Sequence, residues 1–289
     1  MNVMTYATRD LVTLPPSASI DMAISLMEER SIHHLVVTAG NRIVGMVSDR
    51  DILVSTGWML SNERKALRGG DSKAKVVGPT QVHEIMSRPV LCLTIAHTTR
   101  DAALLMLDRK ISAVPLLNQD RLEGLITETD LVKWPPLSEF EADRLLAQKV
   151  GDLMRVNVLS VTPDTPLADV IHLFRTRRIR HAPVVLQSKL VGIVSDRDVR
   201  RALGWAGVRE MQAEREGRML EAESPQTAGD VMNVEVRTVG MATALRDALR
   251  LMLEERIHSL PVVETQCLKG IVTETDFLRA FMACPQFLY

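Results

Sequence analysis

Apolar and polar positions along this chain form one arrangement that recurs four times. In the third occurrence, Ala182–Leu186 and Leu190–Val194 are short apolar runs separated by three polar residues, and Val158–Val161 is another β-type run. Short apolar runs with a brief polar connection are typical of paired strands. Apolar residues recur at helical spacing over Leu167–Phe174, and a second helical pattern begins at Asp198. The predicted order of elements is β-α-β-β-α.

The other three copies predict the same elements and therefore the same fold. Their first helices are expected over Ile20–Glu29, Asp101–Leu107 and Leu245–Glu254. Each copy also starts with a short lead-in that contains a methionine, and these methionines are Met4, Met86, Met154 and Met232. One such unit is too small to bury a sufficient core alone. The first copy should therefore pair with the second, and the third with the fourth, in an α+β protein.

A short motif ends the second hairpin strand of every copy. It consists of Gly, two apolar residues, Ser or Thr, two further residues and Asp, and its four occurrences are Gly45–Asp51, Gly124–Asp130, Gly192–Asp198 and Gly270–Asp276. The first and third end in Ser-Asp-Arg-Asp, whereas the second and fourth end in Thr-Glu-Thr-Asp. The chain is therefore a duplication of a duplication.

The motif has a purely structural interpretation. A hydroxyl residue followed three positions later by a carboxylate, between a strand and a helix, is a good capping box. Such a cap explains the Ser/Thr and Asp residues without any ligand. Duplication would copy a cap as readily as a binding site, so the four occurrences do not by themselves indicate a binding function.

Composition limits the classes of function. The chain has 289 residues, which favours about two domains. Its net charge of −1 gives no general attraction to nucleic acid or anionic membranes. There is no apolar run near the roughly 20 residues that span a bilayer, and the N-terminus lacks the apolar core of a signal peptide. Three scattered cysteines suggest reduced thiols. We therefore expect a cytoplasmic protein without membrane contact.

Three copies also have a proline after an apolar residue in the first hairpin strand, at Pro115, Pro183 and Pro261, whereas the first copy has Val36 there. Together with the repeated motif, this pattern resembles the cystathionine β-synthase (CBS) domain, which pairs into Bateman modules. The resemblance implies four CBS domains in two modules, a layout similar to the gamma subunit of AMP-activated kinase. The expected domains are 1–60, 83–136, 150–205 and 228–289, with inserts or linkers at 61–82, 137–149 and 206–227. The two longer inserts, starting near Trp58 and Trp205, are interpreted as helix extensions with solvated loops or as partner-binding faces.

The resemblance also implies ligand contacts. In nucleotide-binding CBS domains the motif aspartate contacts the ribose hydroxyls and the Ser/Thr lies beside the phosphates. The residues carried over are Ser48, Asp51, Thr127, Asp130, Ser195, Asp198, Thr273 and Asp276. The candidates for phosphate contact are His33, His34, Arg50, Arg180, His181, Arg197 and His258. The sites should be unequal, because the second copy lacks a cation at these positions and the third is richest. Arg175, Arg177 and Arg178 would equally suit a solvated helix C-terminus.

The sequence therefore predicts a regulatory protein that binds AMP, ADP or ATP between paired domains and signals to an effector protein. Mg²⁺ can accompany the nucleotide, and no other cofactor is expected. No catalytic or metal-ligating set is predicted: there is no P-loop, and the adjacent His33 and His34 would point to different faces of a strand. A homodimer is expected, or alternatively a compact monomer in which the two modules form one disc. The alternatives are a dimerisation scaffold with vestigial clefts, an S-adenosylmethionine or dinucleotide sensor, and nucleic-acid binding through 175–180, which the neutral charge and few aromatic residues disfavour.

Overall fold

The computed structural model of the chain describes residues 1–55, 79–202 and 225–284. Within these ranges it contains four units, each with a helix, an antiparallel hairpin and a second helix, so the predicted α+β architecture is confirmed. Trp58, Trp205 and most of the two longer inserts lie outside the described residues.

The elements agree closely with the apolar pattern. The helices that precede the hairpins are α1 (Ile20–Glu29), α4 (Thr99–Arg109), α8 (Leu167–Arg177) and α11 (Leu245–Glu255). The hairpins are β2 (His34–Ala39) with β3 (Arg42–Ser48), β5 (Ala113–Asn118) with β6 (Arg121–Thr127), β7 (His181–Leu186) with β8 (Lys189–Ser195), and β9 (Ser259–Glu264) with β10 (Cys267–Thr273). The helices that follow the motif serines and threonines are α2 (Asp49–Ser55), α5 (Glu128–Lys133), α9 (196–202) and α12 (Glu274–Ala283). The shorter elements are a 3₁₀ helix (Val3–Thr5), β1 (Thr13–Leu14), α3 (Val82–Ile85), β4 (Leu93–Thr94), α6 (Glu139–Leu146), α7 (Val150–Leu153) and α10 (Ala228–Val231).

Helix α4 is longer at both ends than its apolar spacing predicts. It begins at Thr99, two residues before Asp101, because Thr98 and Asp101 form a capping box. The hydroxyl and backbone N–H of Thr98 donate to Asp101 Oδ2 at 2.7 and 2.8 Å. Reciprocal bonds of this kind stabilise a helix start.

The sheets combine the hairpins with short parallel strands. Strand β1 pairs in parallel with β2, and β4 pairs in parallel with β5. In the second half of the chain, β8 and β10 meet in antiparallel register at Lys189 and Cys267. The two hairpins there form one four-stranded sheet in the order β7-β8-β10-β9.

Neighbouring copies are paired by exchange of their lead-ins. Each lead-in crosses to its partner copy and forms two backbone hydrogen bonds of 2.7–3.2 Å with the residue after the motif glycine. We call the four lead-in residues that make these bonds the bridge residues; they are Thr8, Ser87, Arg155 and Asn233. Thr8 and Ser87 join the first two copies, and Arg155 and Asn233 join the last two. The predicted pairing of copies into two modules is thereby confirmed.

The exchange also explains the motif glycines and the lead-in methionines. A Cβ atom on Gly192 would lie 2.6 Å from the sulfur of Met232, and one on Gly270 would lie 2.5 Å from the sulfur of Met154. A Cβ atom at such a distance would force the methionine side chain to move away. The glycine therefore leaves room for the methionine of the paired copy to cover the end of the hairpin.

The two modules face each other with the first copy opposite the third and the second opposite the fourth. The largest apolar cluster contains Leu131 of the second copy together with Phe277 and Phe281 of the fourth. Leu53 of the first copy packs in the core of the third. The single chain thus brings both modules into contact through the helices that follow the motifs.

Two further expectations concern the described residues alone. Across 1–55, 79–202 and 225–284, none of the helices combines the length and the apolar character that crossing a bilayer needs. Cys92, Cys267 and Cys284 are unpaired thiols, and burial raises the pKa of Cys92.

Candidate functional site

All four motif aspartates act as helix caps, as the structural interpretation predicts. In each copy, Oδ2 of the aspartate accepts hydrogen bonds from the backbone N–H and the hydroxyl of the Ser or Thr three residues earlier. The two distances are 2.8 and 2.6 Å for Ser48–Asp51, 2.9 and 2.7 Å for Thr127–Asp130, 2.8 and 2.6 Å for Ser195–Asp198, and 3.0 and 2.6 Å for Thr273–Asp276. Only the other oxygen, Oδ1, is left for a further partner.

The surroundings of Oδ1 differ between the copies. Ser87 donates its hydroxyl to Asp51 Oδ1 at 3.1 Å. Arg155 donates from Nε to Asp276 Oδ1 at 2.7 Å. Within the described parts of the chain, Oδ1 of Asp130 and Oδ1 of Asp198 make no side-chain hydrogen bond. The four caps are therefore equivalent, but the four carboxylates are not equally available to a ligand.

The predicted phosphate-contacting residues converge between the two modules. We call this region the central polar cluster. It contains His33, His34, Asp49, Arg50, Ser112, Glu128, Arg180, His181, Asp196, Arg197, Arg200, His258 and Glu274, which come from all four copies. The residues lie at the start of the hairpins and of the helices α2, α5, α9 and α12, and the packing of the two modules brings these ends together.

A continuous set of contacts crosses this cluster. Arg200 of the third copy is 6% exposed, and its Nε lies 3.2 Å from Oδ1 of Asp49 in the first copy. Oδ2 of Asp49 lies 2.8 Å from Nδ1 of His33. The His33 ring stands nearly perpendicular to that of His258, with centroids 6.1 Å apart, and His258 Nδ1 lies 2.8 Å from Oε2 of Glu274. The first, third and fourth copies are thus linked through polar side chains.

Two of the predicted histidines are held neutral. Burial, together with the nearby charge of Arg180, lowers the pKa of His34 to about 3. Burial likewise lowers the pKa of His181 to about 3, with His258 and Arg180 adding to the effect. His34 Nε2 lies 3.0 Å from the hydroxyl of Ser112. At neutral pH both imidazoles can offer hydrogen bonds but no positive charge.

Three arginines of the cluster have only neutral hydrogen-bond partners. Arg50 donates to the carbonyl oxygen of Phe174 at 3.2 Å, and Arg180 donates to the hydroxyl of Ser112 at 2.8 Å. Arg197 Nη2 lies 2.7 Å from His258 Nε2. Among the residues with described side chains, none of these three guanidinium groups has a carboxylate within 4.0 Å.

Their electrostatic setting follows from this arrangement. Burial lowers the pKa of Arg50, and the nearby charge of Arg180 lowers it further. Burial also lowers the pKa of Arg197. Guanidinium groups stay charged even so. Arg50, Arg180 and Arg197 therefore hold positive charge without a contacting carboxylate among the described residues, and they can accept an anionic ligand.

Sequence reasoning missed the acidic residues of the cluster. In all four copies an acidic residue directly follows the motif Ser or Thr, and this repetition was a usable signal in the sequence. The four residues are Asp49, Glu128, Asp196 and Glu274. Burial raises the pKa of Glu128 and of Asp196. Burial opposes ionisation of Asp49 as well, but the hydrogen bond with His33 and the charge of Arg200 prevail and lower its pKa.

The other basic residues lie elsewhere. Arg175, Arg177 and Arg178 are exposed at the C-terminal end of α8, which favours the interpretation as a solvated helix end. The described residues contain no group of three or more His, Cys, Asp or Glu side chains that could hold a metal ion.

Four hairpin-and-helix units, exchanged lead-ins and a polar cluster between two modules define a protein built of paired repeat domains. The CBS domain family model matches residues 3–55, 82–136, 150–204 and 228–283, and the chain belongs to this family. Its four CBS domains are paired into two Bateman modules.

Full-length relatives share the layout. MJ1225 of Methanocaldococcus jannaschii is 28% identical over 280 residues, covering 94% of this chain and 96% of that protein. The crystal structure of MJ1225, for which homology to g-AMPK has been proposed, aligns with a TM-score of 0.77 at 26% identity over 97% of this chain and 100% of that one. A conserved protein of Pyrococcus horikoshii has the same fold, with a TM-score of 0.61 at 18% identity over 97% of this chain and 100% of that one.

Proposed function

We propose that this protein is a regulatory sensor that binds an adenine nucleotide (AMP, ADP or ATP) in clefts between paired CBS domains. The observation that carries the proposal is the set of three central arginines, Arg50, Arg180 and Arg197, whose described partners are all neutral. A phosphate chain would supply the missing negative charge through charge-assisted hydrogen bonds. A free Oδ1 on a motif aspartate would accept from the ribose hydroxyls.

The arrangement also supports a route from binding to signalling. Arg50 belongs to the first module, whereas Arg180 and Arg197 belong to the second. A ligand whose phosphates contact both modules would prefer one relative position of the modules over others. Binding then shifts the population towards that position, which an effector protein can recognise. In this proposal the chain has no catalytic residue, and Mg²⁺ would enter only with the phosphates.

Calorimetric titration with ATP, ADP, AMP, adenosine, NAD and S-adenosylmethionine tests the proposal. The parent protein should bind a phosphorylated adenosine ligand, and Asp198→Ala should lose most binding at its cleft while losing only about 1 kcal/mol of cap stability. Asp164→Ala, an exposed aspartate in a turn of the same copy, is the control. If Asp198→Ala binds ATP as the parent does but melts lower, the motif is only a cap.

Melting temperature provides an independent measurement. A ligand at about 100 times its Kd stabilises the fold by roughly 2.7 kcal/mol, which corresponds to a rise on the order of 5–10 °C. The absence of any rise with millimolar adenine nucleotides would favour a dimerisation scaffold with vestigial clefts. Both carboxylate oxygens of Asp276 are occupied, one by the cap and one by Arg155, and this favours the scaffold for the fourth copy.

A homodimer, an effector protein and a cytoplasmic location remain predictions from the sequence.

A further inference from the structure

The exchanged lead-ins place one residue of each copy beside the motif of its partner copy. In three of the four positions this bridge residue is small and uncharged: Thr8, Ser87 and Asn233. In the fourth it is Arg155, which is held over β10 by two backbone hydrogen bonds with Ile271 of 2.9 and 3.0 Å. The backbone therefore fixes an arginine where the other copies have a neutral side chain.

Arg155 uses the oxygen that the cap leaves free. Its Nε lies 2.7 Å from Asp276 Oδ1, and Arg279 Nη1 lies 3.4 Å from the same atom. Thr273 already occupies Oδ2 through its backbone N–H and its hydroxyl. The Asp276 side chain is only 5% exposed and both of its oxygens have partners, whereas the Arg155 side chain reaches it from the surface and is 47% exposed.

The paired third copy provides the contrast. The amide oxygen of Asn233 accepts from the backbone N–H of Glu235 at 2.9 Å, so this side chain bonds to its own lead-in. Arg201 lies three residues after Asp198, as Arg279 lies three residues after Asp276. Beside the motif aspartate, the two clefts of the second module thus share an arginine three residues further on and differ in the bridge residue.

We propose that Arg155 occupies the ribose position of the fourth cleft and closes it to nucleosides, so that the second module binds nucleotide at Asp198 and not at Asp276. This inference rests on the proposed function and determines which clefts are used. A ribose hydroxyl is neutral, and it would have to replace a charge-assisted hydrogen bond to a buried carboxylate. The Ser87 hydroxyl at Asp51 is itself neutral, and a ribose hydroxyl can replace it on equal terms.

Exchange of the two bridge residues tests the proposal. The number of ATP molecules bound per chain is measured by equilibrium dialysis and by native mass spectrometry for the parent, for Arg155→Asn and for Asn233→Arg. We expect one additional ATP per chain in Arg155→Asn and one fewer in Asn233→Arg. Arg155→Ser, which reproduces Ser87, is a second form of the opening variant. Arg237→Asn, which removes an exposed arginine paired with Glu255, is the control and should leave the number unchanged.

The outcomes separate this inference from the proposed function. A gain in Arg155→Asn or Arg155→Ser supports closure of the fourth cleft by Arg155. A loss in Asn233→Arg supports binding at Asp198, and an unchanged number in that variant contradicts it. If the parent binds ATP and neither opening variant gains a site, this inference is wrong and the proposed function stands. If neither the parent nor any variant binds ATP, ADP or AMP in the same measurement, the proposed function fails and this inference fails with it.

Discussion

The motif caps and the central polar cluster were produced by the same duplications, yet they differ in how far the copies still agree. The four caps have the same hydrogen bonds, with hydroxyl-to-carboxylate distances of 2.6–2.7 Å in every copy. Among the described side chains of the cluster only one contact is repeated, His33–Asp49 in the first copy and His258–Glu274 in the fourth, whereas Arg180 is paired with Ser112 and Arg197 with His258. A cap involves residues three positions apart and survives duplication unchanged. A contact between modules depends on two distant segments, so each copy can specialise.

The largest effect should come from breaking the cluster at its buried arginine. Arg200→Ala removes the ion pairs to Asp49 and Glu28 across the two modules. Removing one partner of a buried ion pair typically costs about 3–5 kcal/mol, because the other charge stays buried. Urea unfolding measures the loss, and the neighbouring exposed Arg201→Ala should cost no more than about 0.5 kcal/mol. Equal losses in both variants would show that the ion pairs between modules contribute little.

Removing a cluster arginine with neutral partners should affect ligand binding. Arg180→Ala should weaken ATP binding by about 10–100-fold, the equivalent of the 1.5–3 kcal/mol expected for hydrogen bonds to a charged group. Adenosine, which lacks phosphates, should bind as it does to the parent. Calorimetric titration with both ligands checks this, with Arg177→Ala at the exposed end of α8 as the control. An equal loss for ATP and adenosine would mean that Arg180 does not contact phosphate.

The lowered pKa values of His34 and His181 should make the stability of the protein depend on pH. The pKa of His34 falls from 6.5 to about 3 on folding, so between these values unfolding takes up a proton. The contribution of His34 to the free energy of unfolding is therefore fully present above about pH 6.5. It decreases as the pH falls towards 3, by up to about 1.4 kcal/mol per pH unit. His34→Gln should therefore have a shallower pH slope than the parent in urea unfolding at pH 6 and pH 5. The exposed His83→Gln should keep the parent slope, and an unchanged slope in His34→Gln would contradict the assignment.

The smallest effect should come from a cap alone. Asp130→Ala should lower the free energy of unfolding by about 1 kcal/mol, which is typical of a lost helix cap. Nucleotide affinity should change little, because the second copy has no basic residue of its own at the positions of His33, Arg180 and His258. Thermal unfolding and ATP titration of the same variant measure the two effects. A large loss of ATP affinity would show that the second cleft binds nucleotide.

The sequence predicted most of the local structure correctly. The bounds of α1 are the predicted ones, and the hairpins and caps follow the apolar pattern and the motif spacing, because these features depend on residues close in the chain. The lead-in methionines were visible as well, but their role was not. Their exchange between copies, with Met232 over Gly192 and Met154 over Gly270, requires the paired domains to be in place.

The sequence by itself determined the number of units, their order and the caps, since hydrophobic periodicity and short-range hydrogen bonds are local properties. Only the tertiary structure decided which polar residues meet. It brought Asp49 to Arg200 and His33 to His258, and it placed Arg155 on Asp276, 121 residues further along the chain. These contacts depend on how the modules and lead-ins pack, and residue spacing carries no information about packing between segments so far apart.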